Sequence, residues 1–253
     1  MIGNSDTEWF RNFSPAPGAP VRLLCLPHAG GSASFYFPLA RALAPTVEVL
    51  AVQYPGRQDR RQEPLVADIA TLADRITEAL SAYGDKPLAL FGHSMGAVTG
   101  FEVARRLEAR GAGPVELFVS GRRAPSTSRS EHHWHLATDA ELVAEIKSHG
   151  AAGSELLDDP EIRAMLLPTI RSDYRAVETH VSPPGARVGC PITAFTGDAD
   201  PKVTVEEARA WERHTTGGFR AQVFPGGHFY LSDHQDAVLR TVSARLSAPA
   251  GAV

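Results

Sequence analysis

Apolar residues along this 253-residue chain fall into two alternating patterns. Apolar-rich runs at Val21 to Leu26, Val47 to Tyr54, Leu88 to Phe91 ahead of Gly92, Val115 to Ser120 and Pro191 to Thr196 predict strands, the first of them, continuous but for one Arg, buried on both faces. Gln222-Val223-Phe224 predicts a last, shorter strand. Between the runs the period lengthens. A helix is expected from about Ser34 to Leu43, and Leu65, Ile69, Leu72, Ile76 and Leu80 recur at helical spacing up to Tyr83. Further helices are expected from Ala97 to Arg110, from Thr204 to about His214, where Thr204 and Glu207 form a capping box, and from about Gln235 to Leu246. Strand and helix in alternation imply an α/β fold on a mostly parallel central sheet with right-handed crossovers.

The alternation breaks at Gly121. Residues 122–188 show no convincing strand: Thr138 and Glu141 make a capping box for a helix ending at Gly150, and Asp159-Pro160 opens a second helix running towards His180. Pro168 should kink that second helix. An all-helical insertion between strands of one sheet is expected to cover an edge or face, as a lid. The core is then residues 1–121 and 189–253, with residues 1–20 as an arm ending in the Pro/Gly-rich stretch Ser14 to Pro20.

Composition adds exclusions. A net charge of −4 without a Lys/Arg run argues against nucleic acid as a partner. No stretch approaches the length of a membrane span, and the polar start lacks a secretory signal, so a cytoplasmic, non-membrane protein is expected. Cys25 and Cys190, each inside an apolar run, are expected to be buried free thiols. Met1 and the arm point to a free-standing chain, and a monomer is expected.

The chemistry is concentrated at the strand ends. Gly92-His93-Ser94-Met95-Gly96, between a strand and a helix, has the form of a nucleophile elbow, a turn so tight that glycines must flank the serine. A serine hydroxyl needs a base, itself oriented by a carboxylate. Asp198 and Asp200 follow one strand and His228 the next, so Ser94, Asp200 and His228 stand in α/β-hydrolase order. Asp200 is chosen over Asp198, which is expected to hold its turn by bonding backbone amides. His234 is expected to cap a helix or lie at the surface, and His93 to pack the elbow. The oxyanion donors expected are the backbone N–H groups of Met95 and of Ala29, in the HGGG-like loop His28-Ala29-Gly30-Gly31. His132, His133 and His135 cluster in the insertion, but no cysteine or carboxylate pattern accompanies them, so no metal is expected.

Together, Pro27-His28-Ala29-Gly30-Gly31, Gln53-Tyr54-Pro55-Gly56-Arg57, the elbow, Gly197-Asp198-Ala199-Asp200 and Gly226-Gly227-His228-Phe229 resemble a type II thioesterase. These are the editing hydrolases of polyketide and nonribosomal peptide biosynthesis. The resemblance covers nearly the whole chain and implies hydrolysis of acyl groups from the phosphopantetheine thiol of acyl or peptidyl carrier domains. It also implies a mobile helical lid and no cofactor beyond the arm that carries the substrate. Rivals on the same triad are a small-molecule carboxylesterase or an acyltransferase, and from another class an idle hydrolase fold used for interaction. Arg57, Arg122 and Arg123 sit near strand ends and are candidates to meet a pantetheine phosphate or an acidic carrier surface, against a plain loop-pinning role.

Overall fold

The computed structural model describes residues 8–127, 129, 133–151 and 153–247. Seven strands form one sheet: β1 (Phe10–Arg11), β2 (Arg22–Leu26), β3 (Glu48–Val52), β4 (Leu88–His93), β5 (Glu116–Ser120), β6 (Ile192–Gly197) and β7 (Phe219–Phe224). Their spatial order is β1-β3-β2-β4-β5-β6-β7, and every neighbouring pair is parallel except β1 with β3. Every residue of β2, β3, β5 and β6 is buried, Arg22, Glu48 and Glu116 included, as expected of a parallel sheet covered on both faces.

The helices are α1 (Phe37–Leu43), α2 (Ile69–Ala79), α3 (Met95–Ala109), α4 (Asp139–Ser148), α5 (Pro160–Thr179), α6 (Val205–Arg209), α7 (Tyr230–Asp233) and α8 (Gln235–Ser247). Two apolar layers enclose the sheet. One gathers residues of α2 and α3 with Trp211; the other gathers α1, α7 and α8. Both thiols are free and buried, as expected. Among the described residues no helix is long and apolar enough to cross a membrane.

Three expectations need correction. The described part of the arm is packed, not loose: β1 pairs with β3 while Trp9, Phe10, Ala16 and Ala19 are buried. A two-residue strand is too short to leave a periodic signal. The stripe starting at Leu65 overshoots, because α2 begins at Ile69, where the Asp68 side chain accepts from the Thr71 amide at 2.6 Å. The last strand starts at Phe219, not Gln222. As an edge strand, β7 leaves Arg220 and Ala221 exposed, and this masks its apolar pattern.

The insertion lies between β5 and β6, neighbours in the sheet. Its helices begin where expected. Thr138 and Glu141 complete both halves of a capping box on α4, and the Asp159 carboxylate accepts from the Glu161 and Ile162 amides ahead of α5. Pro168 is accommodated inside α5 without a break. A small apolar cluster of Leu142, Leu157, Leu167 and Ile170 holds α4 and α5 together.

The contact of α3 with the sheet sets the position of the elbow. A Cβ on Gly96 would lie 1.9 Å from the Leu26 carbonyl oxygen, and one on Gly92 would lie 2.0 Å from the Gly96 carbonyl oxygen. Neither obstacle is a side chain that can turn away. Gly96→Ala is expected to cost ~3 kcal/mol, at the upper end of overpacking penalties. Thermal unfolding should show this as a fall in Tm of roughly 6–10 °C; an unchanged Tm would mean that the helix can retreat from β2.

Candidate active site

Parallel strands deliver their C-terminal loops to one edge, and the order of β3, β2 and β4 places a switch point there, where crevices form in such sheets. Four loops meet at this edge. β2 ends in His28 to Gly31, β4 in Ser94, β6 in Asp198 to Asp200, and β7 in Gly226 to His228. Register is held across the ends: the Ser94 amide donates to the Ser120 carbonyl at 2.8 Å and the Asp198 amide to the Phe224 carbonyl at 2.8 Å.

Ser94 is half-buried and has φ 55° and ψ −114°, a conformation that costs a non-glycine residue about 1–3 kcal/mol. The strained turn places it at the N-cap of α3, where the amide of Met95, the first helical residue, has no partner within the helix. His228 is 5% exposed, and its Nδ1 donates to Asp200 Oδ2 at 2.8 Å. The other carboxylate oxygen, Asp200 Oδ1, accepts from the Lys202 amide at 2.8 Å. Asp198 instead accepts the Gly226 amide at 2.9 Å and so ties the turn after β6 to the turn ahead of His228. His234 closes α7, with Nε2 2.9 Å from the Pro225 carbonyl oxygen.

A cavity of about 240 Å³ opens on this edge. Ser94, His228, Ala29 and Gly30 line it together with Leu157, Ile170 and Tyr174 of the insertion. One wall therefore carries Ser94 and His228, and another is largely apolar.

Three further imidazoles surround His228. His93 lies 5.0 Å and His149 5.6 Å from it between ring centroids, and His28 lies 5.8 Å from His93. Burial, reinforced by His228 and, for His149, first by Lys202, keeps all three neutral: His93 falls well below the ordinary range, His28 to about 3 and His149 to about 4. His93 packs beneath the elbow with its Nδ1 2.9 Å from Ser120 Oγ, which in turn lies 2.6 Å from the Tyr230 hydroxyl.

Arg57 is buried. Its Nε donates to the Gly31 carbonyl at 2.7 Å, its Nη1 to the Pro55 carbonyl at 2.9 Å, and its Nη2 pairs with Asp173 of α5. It pins loops. Arg122 and Arg123 do line the cavity.

Of the histidine cluster in the insertion, His132 lies outside the described residues. The premise that no carboxylate accompanies the other two is corrected: Glu178 of α5 approaches them, and one donor atom from each of His133, His135 and Glu178 falls within a 4.8 Å span. Glu178 accepts from the Trp134 and His135 amides at 3.0 and 3.2 Å and from His135 Nδ1 at 2.5 Å. It thereby clamps this loop to α5. A partner 43 residues away on another helix leaves no spacing signal in the sequence. The same holds for Asp173, and for His149 and Lys202 beside the histidine–carboxylate pair.

A mostly parallel sheet with a strained serine at a strand-to-helix turn, and a paired histidine and carboxylate on the loops beyond, defines an α/β-hydrolase. Comparison with known proteins narrows the class. The family model described as "Thioesterase domain" matches residues 21–246. "Thioesterase PikA5" of Streptomyces venezuelae is 45% identical over 96% of this chain and 87% of that protein. The "Probable cadicidin biosynthesis thioesterase" of Streptomyces griseus is 52% identical over 94% of this chain, which spans 66% of that relative's length. Among solved structures, the type II thioesterase BorB from the borrelidin biosynthetic cluster is 52% identical. It superposes with a TM-score of 0.88 over 94% of this chain and 98% of its own. The chain belongs to the thioesterase domain family.

Proposed function

We propose that this chain hydrolyses acyl thioesters carried on the phosphopantetheine arm of acyl or peptidyl carrier domains, as an editing enzyme of a modular synthase. The observation that carries this reading is that His228, paired with Asp200 behind it, lines the same cavity as the strained Ser94. Its support from relatives lies in their names, which place one in cadicidin biosynthesis and another, a type II thioesterase, in the borrelidin biosynthetic cluster.

With Nδ1 committed to Asp200, His228 has Nε2 left to take the Ser94 proton. Ser94 Oγ attacks the thioester carbonyl, and the Met95 and Ala29 amides receive the oxyanion. The C–S bond breaks, and the pantetheine sulfur leaves with the proton from His228. Water, deprotonated by His228, then attacks the acyl-serine ester; Ser94 regains its proton and the free acid departs. Each group needed is a side chain or an amide, so no cofactor enters beyond the substrate's own arm.

Residues 122–188 act as the lid over a core of residues 1–121 and 189–253 in this reading, since Leu157, Ile170 and Tyr174 supply the cavity's apolar wall. The enzyme works in the cytoplasm as a monomer on a carrier partner. A thiolate leaves readily, so selectivity lies in which chains the apolar wall admits.

The test presents one acyl group as a carrier-linked thioester, as a free pantetheine thioester and as an oxygen ester. The carrier-linked thioester is expected to have the highest kcat/KM, by about tenfold or more over the oxygen ester. Preference for the oxygen ester without a carrier advantage would make the enzyme a small-molecule esterase.

A further inference from the structure

We propose that Asp173 and Arg57 are positioning residues for the loop that receives the oxyanion, and that they make its shape depend on the seating of α5. This rests on the thioesterase reading above and on the Ala29 amide as a donor. Asp173 Oδ2 accepts from the Gly30 amide at 2.7 Å and from Arg57 Nη2. Arg57 Nε holds the next carbonyl, that of Gly31, at 2.7 Å. The Ala29–Gly30 and Gly31–Ser32 peptide groups are therefore fixed by one carboxylate and one guanidinium, immediately after the donor residue. Both side chains are buried, Asp173 at 3% and Arg57 at 7% exposure.

Holding a helix against a sheet does not need such a pair. Apolar contacts suffice for docking, and a buried ion pair is a weak stabiliser after desolvation. Leu167 and Ile170 already supply apolar packing on α5, and Thr169 Oγ1 adds a hydrogen bond to the Gly56 carbonyl at 3.1 Å. What the pair adds is direction. A Cβ on Gly30 would meet Ile170 at 3.0 Å, so the loop also lies close against α5 at this point. Charge follows the same logic. A lone carboxylate near the developing oxyanion would oppose it, and Arg57 cancels that charge without offering its own donors to the cavity. When α5 lifts, Asp173 leaves with it, and the loop loses both its anchor and its charge balance. Carbonyl attack is then favoured only with the insertion seated.

The test uses the full-length enzyme and the propionyl thioester of N-acetylcysteamine, with Ser94→Ala as blank. Asp173→Ala is expected to lower kcat by about tenfold to a hundredfold with KM within about twofold, the signature of a misplaced transition-state contact. Asp173→Asn keeps an oxygen for both the Gly30 amide and Arg57, and should restore kcat to within about threefold of wild type. Arg57→Lys keeps the charge but cannot reach Gly31 and Asp173 together, and should lose about tenfold in kcat at unchanged KM. If Asp173→Ala fails to fold, the asparagine and lysine variants decide. Wild-type kcat in Asp173→Ala or Arg57→Lys, a loss confined to KM, or an asparagine variant as slow as alanine would overturn the proposal. A wild-type enzyme inactive on the thioester, or an active Ser94→Ala, would instead overturn the thioesterase reading.

Discussion

Ser94→Ala is expected to lower thioester hydrolysis by at least about 10⁴-fold, a loss of ~5.5 kcal/mol of transition-state stabilisation. The fold should be untouched. Ser94 makes no side-chain hydrogen bond to the α3 amides, so its hydroxyl contributes no cap that alanine would remove. The strain at φ 55° belongs to the backbone and persists in the variant. Thermal unfolding should therefore move by no more than the equivalent of about 0.5–1 kcal/mol. The alanine enzyme should also fail to react with a fluorophosphonate that labels the wild type. Substantial hydrolysis by this variant would mean that another group attacks the carbonyl. The imidazoles nearest His228 would then be the first suspects, since burial leaves them neutral.

The reactive edge was legible because parallel strands put their loops on one side, and the tightest loops need glycine. Gly92 and Gly96 flag Ser94, and the turns after β6 and β7 carry Asp200 and His228 in order. Geometry then separates Asp198 from Asp200 as the turn argument expected, one on the Gly226 amide and the other on His228. Less was visible in the insertion. Asp173 sits mid-helix, where a carboxylate ordinarily faces water, and only the fold brings it to Gly30. Glu178 is hidden for the same reason, since it lies 43 residues from His135 and no sequence spacing joins it to the histidines. Arg57 was legible as part of a motif but not in direction. Its burial against Gly31 and Asp173 came from the packing of two loops and a helix, none of which has a periodic signature.

The pair of aspartates after β6 supplies the second large effect. Asp200→Asn is expected to lower kcat by about 10⁴-fold, because an amide in place of the carboxylate leaves His228 held in the wrong tautomer, with Nε2 protonated and unable to accept from Ser94. The side chain is enclosed at 0% exposure and accepts from both His228 Nδ1 and the Lys202 amide, so water cannot substitute for the lost charge. Asp198→Asn should behave differently. Its carboxylate is exposed and accepts from the Gly226 amide, a bond an asparagine oxygen can still accept. Its cost is expected to be within about threefold in kcat, with ~0.5 kcal/mol or less in stability. Asp198→Ala goes further, since it frees the turn that leads into His228 and should lower kcat by about threefold to tenfold through loss of aim. Measuring kcat and Tm for the three variants separates orientation of the base from support of its loop. Equal losses at both positions would show that Asp198 and Asp200 share the work of orienting His228.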